Sequence, residues 1–241
     1  MSARRAQAIQ FVQPLREYSL RRRAFIAGIA AAACAPAMAA PARVTRIVLA
    51  DAFLLLDNYL ALKPAERDRF HLAYRAVRNG KPAPDVQARI VHRDRTSTPL
   101  VVDGDGWVTE LPTLEQLKAR EAFEVDGPPF DMAVELRAAL APAARLPVGE
   151  LTATLAQVNA AFLTFAEGDS SQVGRLTSVY FPDARGARAI LGNGAERPLP
   201  IFDFKLTGPT PYYDARAQPP ATAVAFDKPP SRIVVAGRPR S

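Results

Sequence analysis

Proline punctuates this chain so often that long helices are disfavoured over most of it. The 241 residues include 22 prolines. Proline has no backbone N–H and a fixed φ, so it interrupts helix interiors and central strands alike. The runs Asn79-Gly80-Lys81-Pro82-Ala83-Pro84, Asp126-Gly127-Pro128-Pro129, Gly208-Pro209-Thr210-Pro211 and Gln218-Pro219-Pro220 therefore read as loops and spacers between short elements. One long stretch escapes this pattern. Between Pro147 and Ala166, the residues Leu151, Leu155, Val158, Phe162 and Phe165 fall on one helical stripe, and Gly168 ends the run. That pattern predicts one substantial helix.

Most other apolar runs are short and extended. From Arg69 to Arg78, Phe70, Leu72, Tyr74 and Ala76 alternate with Arg69, His71, Ala73 and Arg75, the period of a half-buried strand. Val86–His92 and Pro99–Val102 follow as strands. Asp103-Gly104-Asp105-Gly106 is a hairpin signal with Trp107–Leu111 returning. Ala122–Val125 and Met132–Leu140 also read as strands, the second because it sits inside a meander despite its helix-forming residues. Thr177–Phe181, Arg188–Leu191, Leu199–Phe204, Thr222–Phe226 and Arg232–Ala236 look extended, with a turn at Asn193-Gly194. Two short helices are expected. One runs over Ala52–Leu62, capped by Asp51 and stopped ahead of Pro64; the other runs over Leu114–Arg120, capped by Thr113.

These elements imply an α+β fold, largely antiparallel β-sheet with one short and one longer packing helix. The expected organisation is residues 1–39 as a signal peptide, 40–145 as a β-rich part with a short helix, and 146–241 as a helix followed by a β-rich part. Pro142 and Pro147 flank an Ala-rich link at that boundary. One continuous sheet packed on the helix is the alternative.

Residues 21–40 have the make-up of an export leader. Arg21, Arg22 and Arg23 form a positive end, Ala24–Ala35 is apolar and uncharged, and Ala37-Met38-Ala39 is a small-residue site with cleavage expected before Ala40. The order Arg22-Arg23-Ala24-Phe25-Ile26 resembles the bacterial twin-arginine signal, which implies export of an already folded protein. An ordinary secretory leader and an uncleaved N-terminal anchor are the alternatives. The anchor is disfavoured because Ala, Gly and two prolines make a poor membrane helix. Cys34 follows three alanines, as in a lipoprotein leader, but the large aliphatic residue three places earlier is missing, so no lipid anchor is expected there. Membrane contact is expected only through the leader during export.

The leader also dominates the charge. The whole chain carries a formal +7, and residues 1–39 hold six arginines against one acid, Glu17, so Ala40 onward carries only +2. A nucleic-acid partner is therefore not expected. Cys34 is the only cysteine, so the exported part has neither a disulfide framework nor thiol chemistry.

No phosphate loop, dinucleotide fingerprint or nucleophile elbow occurs. Asp103 and Asp105 lack the further carboxylates of a calcium loop and are expected to form a turn. His71 and His92 are the only histidines, with no third metal ligand evident, and are expected on solvent faces. Ser170-Ser171 reads as a turn, Arg238-Pro239-Arg240 as a frayed tail, and the mixed-charge runs Glu66–Arg69 and His92–Arg95 as self-paired surface. No catalytic, metal or cofactor site is expected. Phe202, Phe204, Tyr212 and Tyr213 could line a ligand groove, the bland alternative being core and cross-strand pairing.

The expectation is an exported, soluble, periplasmic or secreted bacterial envelope protein, a non-enzymatic binding or structural module whose partner is an envelope protein or small ligand. The alternatives are a periplasmic hydrolase of envelope material, or a lipid carrier using Leu55, Leu56, Tyr59, Phe162 and Phe165.

Overall fold

The alternation of Phe70, Leu72, Tyr74 and Ala76 gives the longest strand of a curled seven-stranded sheet, the largest element of the fold. The computed structural model describes residues 44–166, 175–204, 208–217 and 220–237. The leader positions Arg22, Arg23, Phe25, Cys34, Ala37, Ala39 and Ala40 lie outside them, as do Gly168, Ser170-Ser171, Gln218-Pro219 and Arg238-Pro239-Arg240.

The first part of the chain contains β1 (Val44–Val48), α1 (Leu49–Ala52), α2 (Leu56–Ala61), β2 (Phe70–Arg78), β3 (Lys81–Pro82), β4 (Gln87–Val91), β5 (Ser97–Pro99), α3 (Leu114–Lys118), β6 (Ala122–Asp126) and β7 (Asp131–Ala138). Then come β8 (Arg145–Pro147), α4 (Val148–Phe165), β9 (Ser178–Tyr180), β10 (Arg188–Leu191), β11 (Glu196–Pro198), β12 (Ile201–Phe204), β13 (Gly208–Asp214), β14 (Ala221–Ala225) and β15 (Val234–Ala236). The fold is α+β and sheet-rich, and the strand pairings are antiparallel. The sheet orders are β1-β6-β4-β5, β11-β10-β14-β8 and β12-β13-β9-β15-β7-β2-β3. The large sheet takes β2, β3 and β7 from before residue 145 and β9, β12, β13 and β15 from after it.

Its inner face carries Phe70, Leu72, Tyr74, Leu136, Val179, Tyr213 and Val235, which join the main core. Helix α4 buries Leu151, Leu155, Val158 and Phe162 in the same core, at the spacing read from the sequence. Each such side chain contributes about 1.5–3 kcal/mol. The Thr113 cap also forms. Its hydroxyl accepts from Gln116 N–H at 3.2 Å, and Gln116 Oε1 accepts from Thr113 N–H at 2.8 Å.

Three expectations are corrected. The helix over Ala52–Leu62 is two short helices, broken where Leu55 takes φ 70°. In one straight helix Phe53 and Leu55 would point about 200° apart; the break lets Phe53, Leu55 and Leu56 all be buried. Tyr74 Oη donates to Leu54 O at 2.7 Å, satisfying a carbonyl beside the break. The loop at Asn79 is a tight hairpin, with Asn79 and Gly80 both at positive φ and Arg78 paired with Lys81. The spacer Gly208-Pro209-Thr210-Pro211 is part of β13. Tyr212 N–H donates towards β12, to Pro200 O at 3.0 Å. Successive N–H groups in a strand alternate in direction, so Pro209 and Pro211 remove no donor from the β12 side.

Candidate functional site

Four arginines gather where the sheet β1-β6-β4-β5 meets the end of α3. Arg46 stands on β1, Arg93 and Arg95 on the turn between β4 and β5, and Arg120 just after α3. With His92 and Glu121 they line a cleft of about 450 Å³. Sheet register builds it. Strands β1 and β4 both pair with β6, and the Val91–Ala122 pairing sets His92 beside Glu121. The turn is held by His92 N–H donating to Thr96 O at 2.9 Å and Arg95 N–H donating to His92 O at 3.0 Å. Asp94 Oδ1 accepts from Thr96 N–H at 2.9 Å and from its hydroxyl at 2.6 Å, which holds the Asp94 carboxyl below its usual pKa. Arg93 Nη2 donates to Ala119 O at 3.0 Å, tying the turn to the end of α3.

Two of these arginines occupy backbone positions that favour glycine. Arg95 has φ 71° and follows the tight turn, where a left-handed residue forms the bulge. Arg120 has φ 53° and ends α3, with Arg120 N–H donating to Leu117 O at 3.0 Å and Glu121 N–H to Gln116 O at 3.3 Å. That is the paired capping pattern in which glycine is the usual left-handed residue. Each non-glycine residue held this way costs about 1–3 kcal/mol. Among the described residues Arg95 and Arg120 make no ion pair, while Arg46 reaches Glu124 at 3.6 Å. Four guanidiniums thus face one lining carboxylate, Glu121.

His92 links the cleft to Thr98. Its Nδ1 lies 2.9 Å from Glu121 Oε2, and its Nε2 lies 2.7 Å from Thr98 Oγ1. With the carboxylate accepting from Nδ1–H, a neutral ring accepts the Thr98 proton at Nε2. A carboxylate, an imidazole and a hydroxyl in line have the connectivity of a nucleophile triad. The sequence reading put both histidines on solvent faces. His71 is exposed on β2, whereas His92 is half-buried and bonded through both nitrogens. His71 lies in the large sheet, whereas His92 follows the end of β4 in another sheet. The His92–Arg95 run is not self-paired: Asp94 bonds Thr96, and the arginines turn to the cleft. No sequence pattern marks the cleft, because the left-handed position of Arg95 shows only in the folded hairpin.

The proposed aromatic residues separate by face. Phe202, Phe204 and Tyr212 join Tyr180 on the outer side of the large sheet, while Tyr213 points into the main core. Tyr180 stacks on Tyr212 at 5.3 Å and meets Phe204 edge-on at 4.8 Å, and Phe202 meets Phe204 at 4.7 Å. Tyr180 Oη donates to Gly237 O at 2.9 Å. Burial, and secondarily Tyr212, pushes the Tyr180 phenol above its usual pKa.

Further along that outer face, Trp107 receives three guanidiniums, Arg137 at 3.9 Å, Arg75 at 4.8 Å and Arg232 at 5.4 Å from its ring centre. Glu135 Oε1 accepts from Arg137 Nε at 2.7 Å and Arg232 Nε at 2.8 Å. His71 pairs across the strands with Arg137. Partial desolvation first, then Arg137, lowers the His71 pKa, against a smaller opposing effect of Glu135. The Asp103–Gly106 turn forms as expected. Asp103 Oδ1 accepts from Asp105 N–H at 2.9 Å and Trp107 N–H at 2.8 Å. Among the described residues no cluster of three or more His, Cys, Asp or Glu could hold a metal ion.

A second open cleft, about 670 Å³, runs along the outer side of α4 beside Asn159, Leu163, Leu176 and Arg216. It is away from Leu55, Leu56, Tyr59 and Phe162, which are buried in the main core. Comparisons with protein-family models, curated proteins and solved structures find no match for this chain.

Proposed function

We propose that the chain is an exported protein of the bacterial cell envelope, periplasmic or secreted, that works as a binding module and takes an anionic ligand in the arginine-lined cleft. The observation that carries this reading is the charge of the cleft, four guanidiniums against the single lining carboxylate Glu121. Guanidiniums bind oxyanions through charge-assisted, often bidentate hydrogen bonds. The location rests on the leader Arg21–Ala40, with its Arg22-Arg23-Ala24-Phe25 run and its cleavage site at Ala37-Met38-Ala39. No described helix is long and apolar enough to cross a membrane. Cell fractionation with N-terminal sequencing tests the location: the expected product is periplasmic or secreted and begins at Ala40. A cytoplasmic product that keeps residues 1–39 overturns it. Thermal melts at constant ionic strength test the binding. Multivalent oxyanions are expected to raise Tm above its value in chloride, and equal Tm values in every salt overturn the anion-binding reading.

The Glu121–His92–Thr98 line favours a second reading, a hydrolase of envelope material. There the Thr98 hydroxyl would attack an ester carbonyl as His92 Nε2 takes its proton; the alkoxide would leave with that proton, and water would then release the acyl group from Thr98. This reading expects ester turnover that Thr98→Val and His92→Gln abolish. The binding reading expects no turnover in either variant or in the parent chain.

A further inference from the structure

We infer that the cleft takes the phosphoryl group of its ligand, and that Arg95 and Arg120 hold strained backbone positions so that their guanidiniums can grip it. The inference rests on the anion-binding reading above and adds the ligand's chemical class. It starts from the backbone. Among the described residues glycine takes six other positive-φ sites, Gly80, Gly106, Gly127, Gly186, Gly194 and Gly208. The remaining non-glycine cases have local reasons. Asn79 and Asp183 are of types that tolerate this conformation, and Leu55 is buried in the core at the α1–α2 break. At Arg95 and Arg120 the bulge and the helix cap set the left-handed backbone, but neither asks for an arginine, which is not of a type that tolerates it. Both arginines are exposed, and among the described residues neither has an ion pair. Yet both line the same cleft, from different elements. Residues kept in disfavoured conformations concentrate at ligand clamps.

The number of cations selects the anion. A carboxylate has two oxygens and one negative charge, which a single guanidinium can neutralise. A phosphoryl group offers three terminal oxygens and up to two negative charges. It can use several forks arriving from β1, the β4–β5 turn and the end of α3. Glu121 offsets one of the four guanidinium charges and Arg46 is drawn to Glu124 at 3.6 Å, so about two positive charges remain for the phosphoryl group.

The test uses the full chain and the variants Arg95→Gly, Arg120→Gly and their double, with Arg95→Asn as a second uncharged residue that tolerates positive φ. The probes are inorganic phosphate, succinate, and phosphatidylcholine vesicles with and without phosphatidylglycerol. Calorimetric titration is expected to show phosphate binding more tightly than succinate, and the double variant is expected to lose at least about tenfold in phosphate affinity. Each glycine variant is expected to melt about 2–4 °C higher than the parent, because strain is relieved. Binding only to the phosphatidylglycerol vesicles, whose phosphodiester has two terminal oxygens and one charge, overturns the phosphoryl assignment and leaves the anion-binding reading standing. Succinate binding as tightly as phosphate overturns the phosphoryl assignment but leaves the anion-binding reading standing. No binding of any probe overturns both. Phosphate affinity unchanged in the double variant, or a lower Tm in both glycine variants, overturns the role given to Arg95 and Arg120.

Discussion

A β-carbon at Gly106 would lie 2.9 Å from the Ala76 carbonyl oxygen and 3.2 Å from the Ala83 nitrogen, in a backbone held at φ +81°. Gly106 O also accepts from Ala76 N–H at 2.8 Å, so neither side can retreat without losing a bond. Gly106→Ala is therefore expected to destabilise the fold by about 1–3 kcal/mol, measured by denaturant unfolding. Arg95→Gly has the opposite expected sign at a similar φ, which makes the two substitutions controls for one another. His71 gives a pH dependence whose sign follows from its lowered pKa. The folded chain binds this proton more weakly than the unfolded chain, so the unfolded state gains protons first as pH falls below about 6.5. The His71 contribution is present above that value and is lost as pH falls towards the folded pKa. His71→Gln is expected to flatten the stability–pH curve in this window, and an unchanged curve would sink the assignment. The ring is exposed, so the effect is small.

Asn159 fastens the long helix to the segment that leads into β9. Its Nδ2 donates to Leu155 O at 2.8 Å and Leu176 O at 2.9 Å, and its Oδ1 accepts from Leu176 N–H at 2.9 Å. Asn159→Ala leaves the Leu176 groups without these partners and is expected to cost about 1–3 kcal/mol, with faster amide exchange at Leu176. The helix itself was legible in the sequence, because Leu151, Leu155, Val158 and Phe162 repeat at its period over a proline-free run. Strand β2 was legible for the same reason at period two, and α3 through its Thr113 cap. The Leu55 break was not, since a short apolar run fits one helix or two and only the tertiary need to bury Phe53, Leu55 and Leu56 together decides. Strand β13 was hidden because Pro209 and Pro211 look like breakers until the direction of each missing N–H is known. The cleft was invisible as a pattern: Arg46, Arg93, Arg95 and Arg120 are scattered along the chain, and sheet register brings them together. Of the aromatic candidates, Phe202, Phe204 and Tyr212 share a face, but Tyr213 follows the strand alternation to the other side.

At the scale of the whole molecule, β15 controls the architecture. It lies between β9 and β7, pairing Val235 with Val179 on one side and with Leu136 on the other. Val235 and Ala236 are fully buried. The Val234–Arg137 pairing spans almost a hundred residues, so the large sheet closes only through a contact that is very distant in sequence. The β8–β14 pairing adds another long link, from Leu146 to Val224. Without β15, β7 keeps β2 and β9 keeps β13, but each exposes a row of unpaired backbone groups and the inner face loses Val235. Residues 40–145 expressed alone would keep the β2–β7 ladder yet lack β15, β9 and β13, which continue the sheet, and α4, which shares its core. That fragment is expected to expose apolar surface, bind a hydrophobic dye and unfold without a sharp transition, whereas the chain from Ala40 onward unfolds in one step. A sharp, dye-free transition in the 40–145 fragment would show that the first part is stable on its own and would sink this account. A twin-arginine leader carries folded cargo, so a sheet that closes only through its most distant pairing is compatible with that route. Under that route, a Val235→Asp variant, whose charge would be buried where Val235 now packs, is expected to remain unexported. Under the ordinary secretory route the same variant would still reach the periplasm and be degraded there, so fractionation of this variant separates the two leaders.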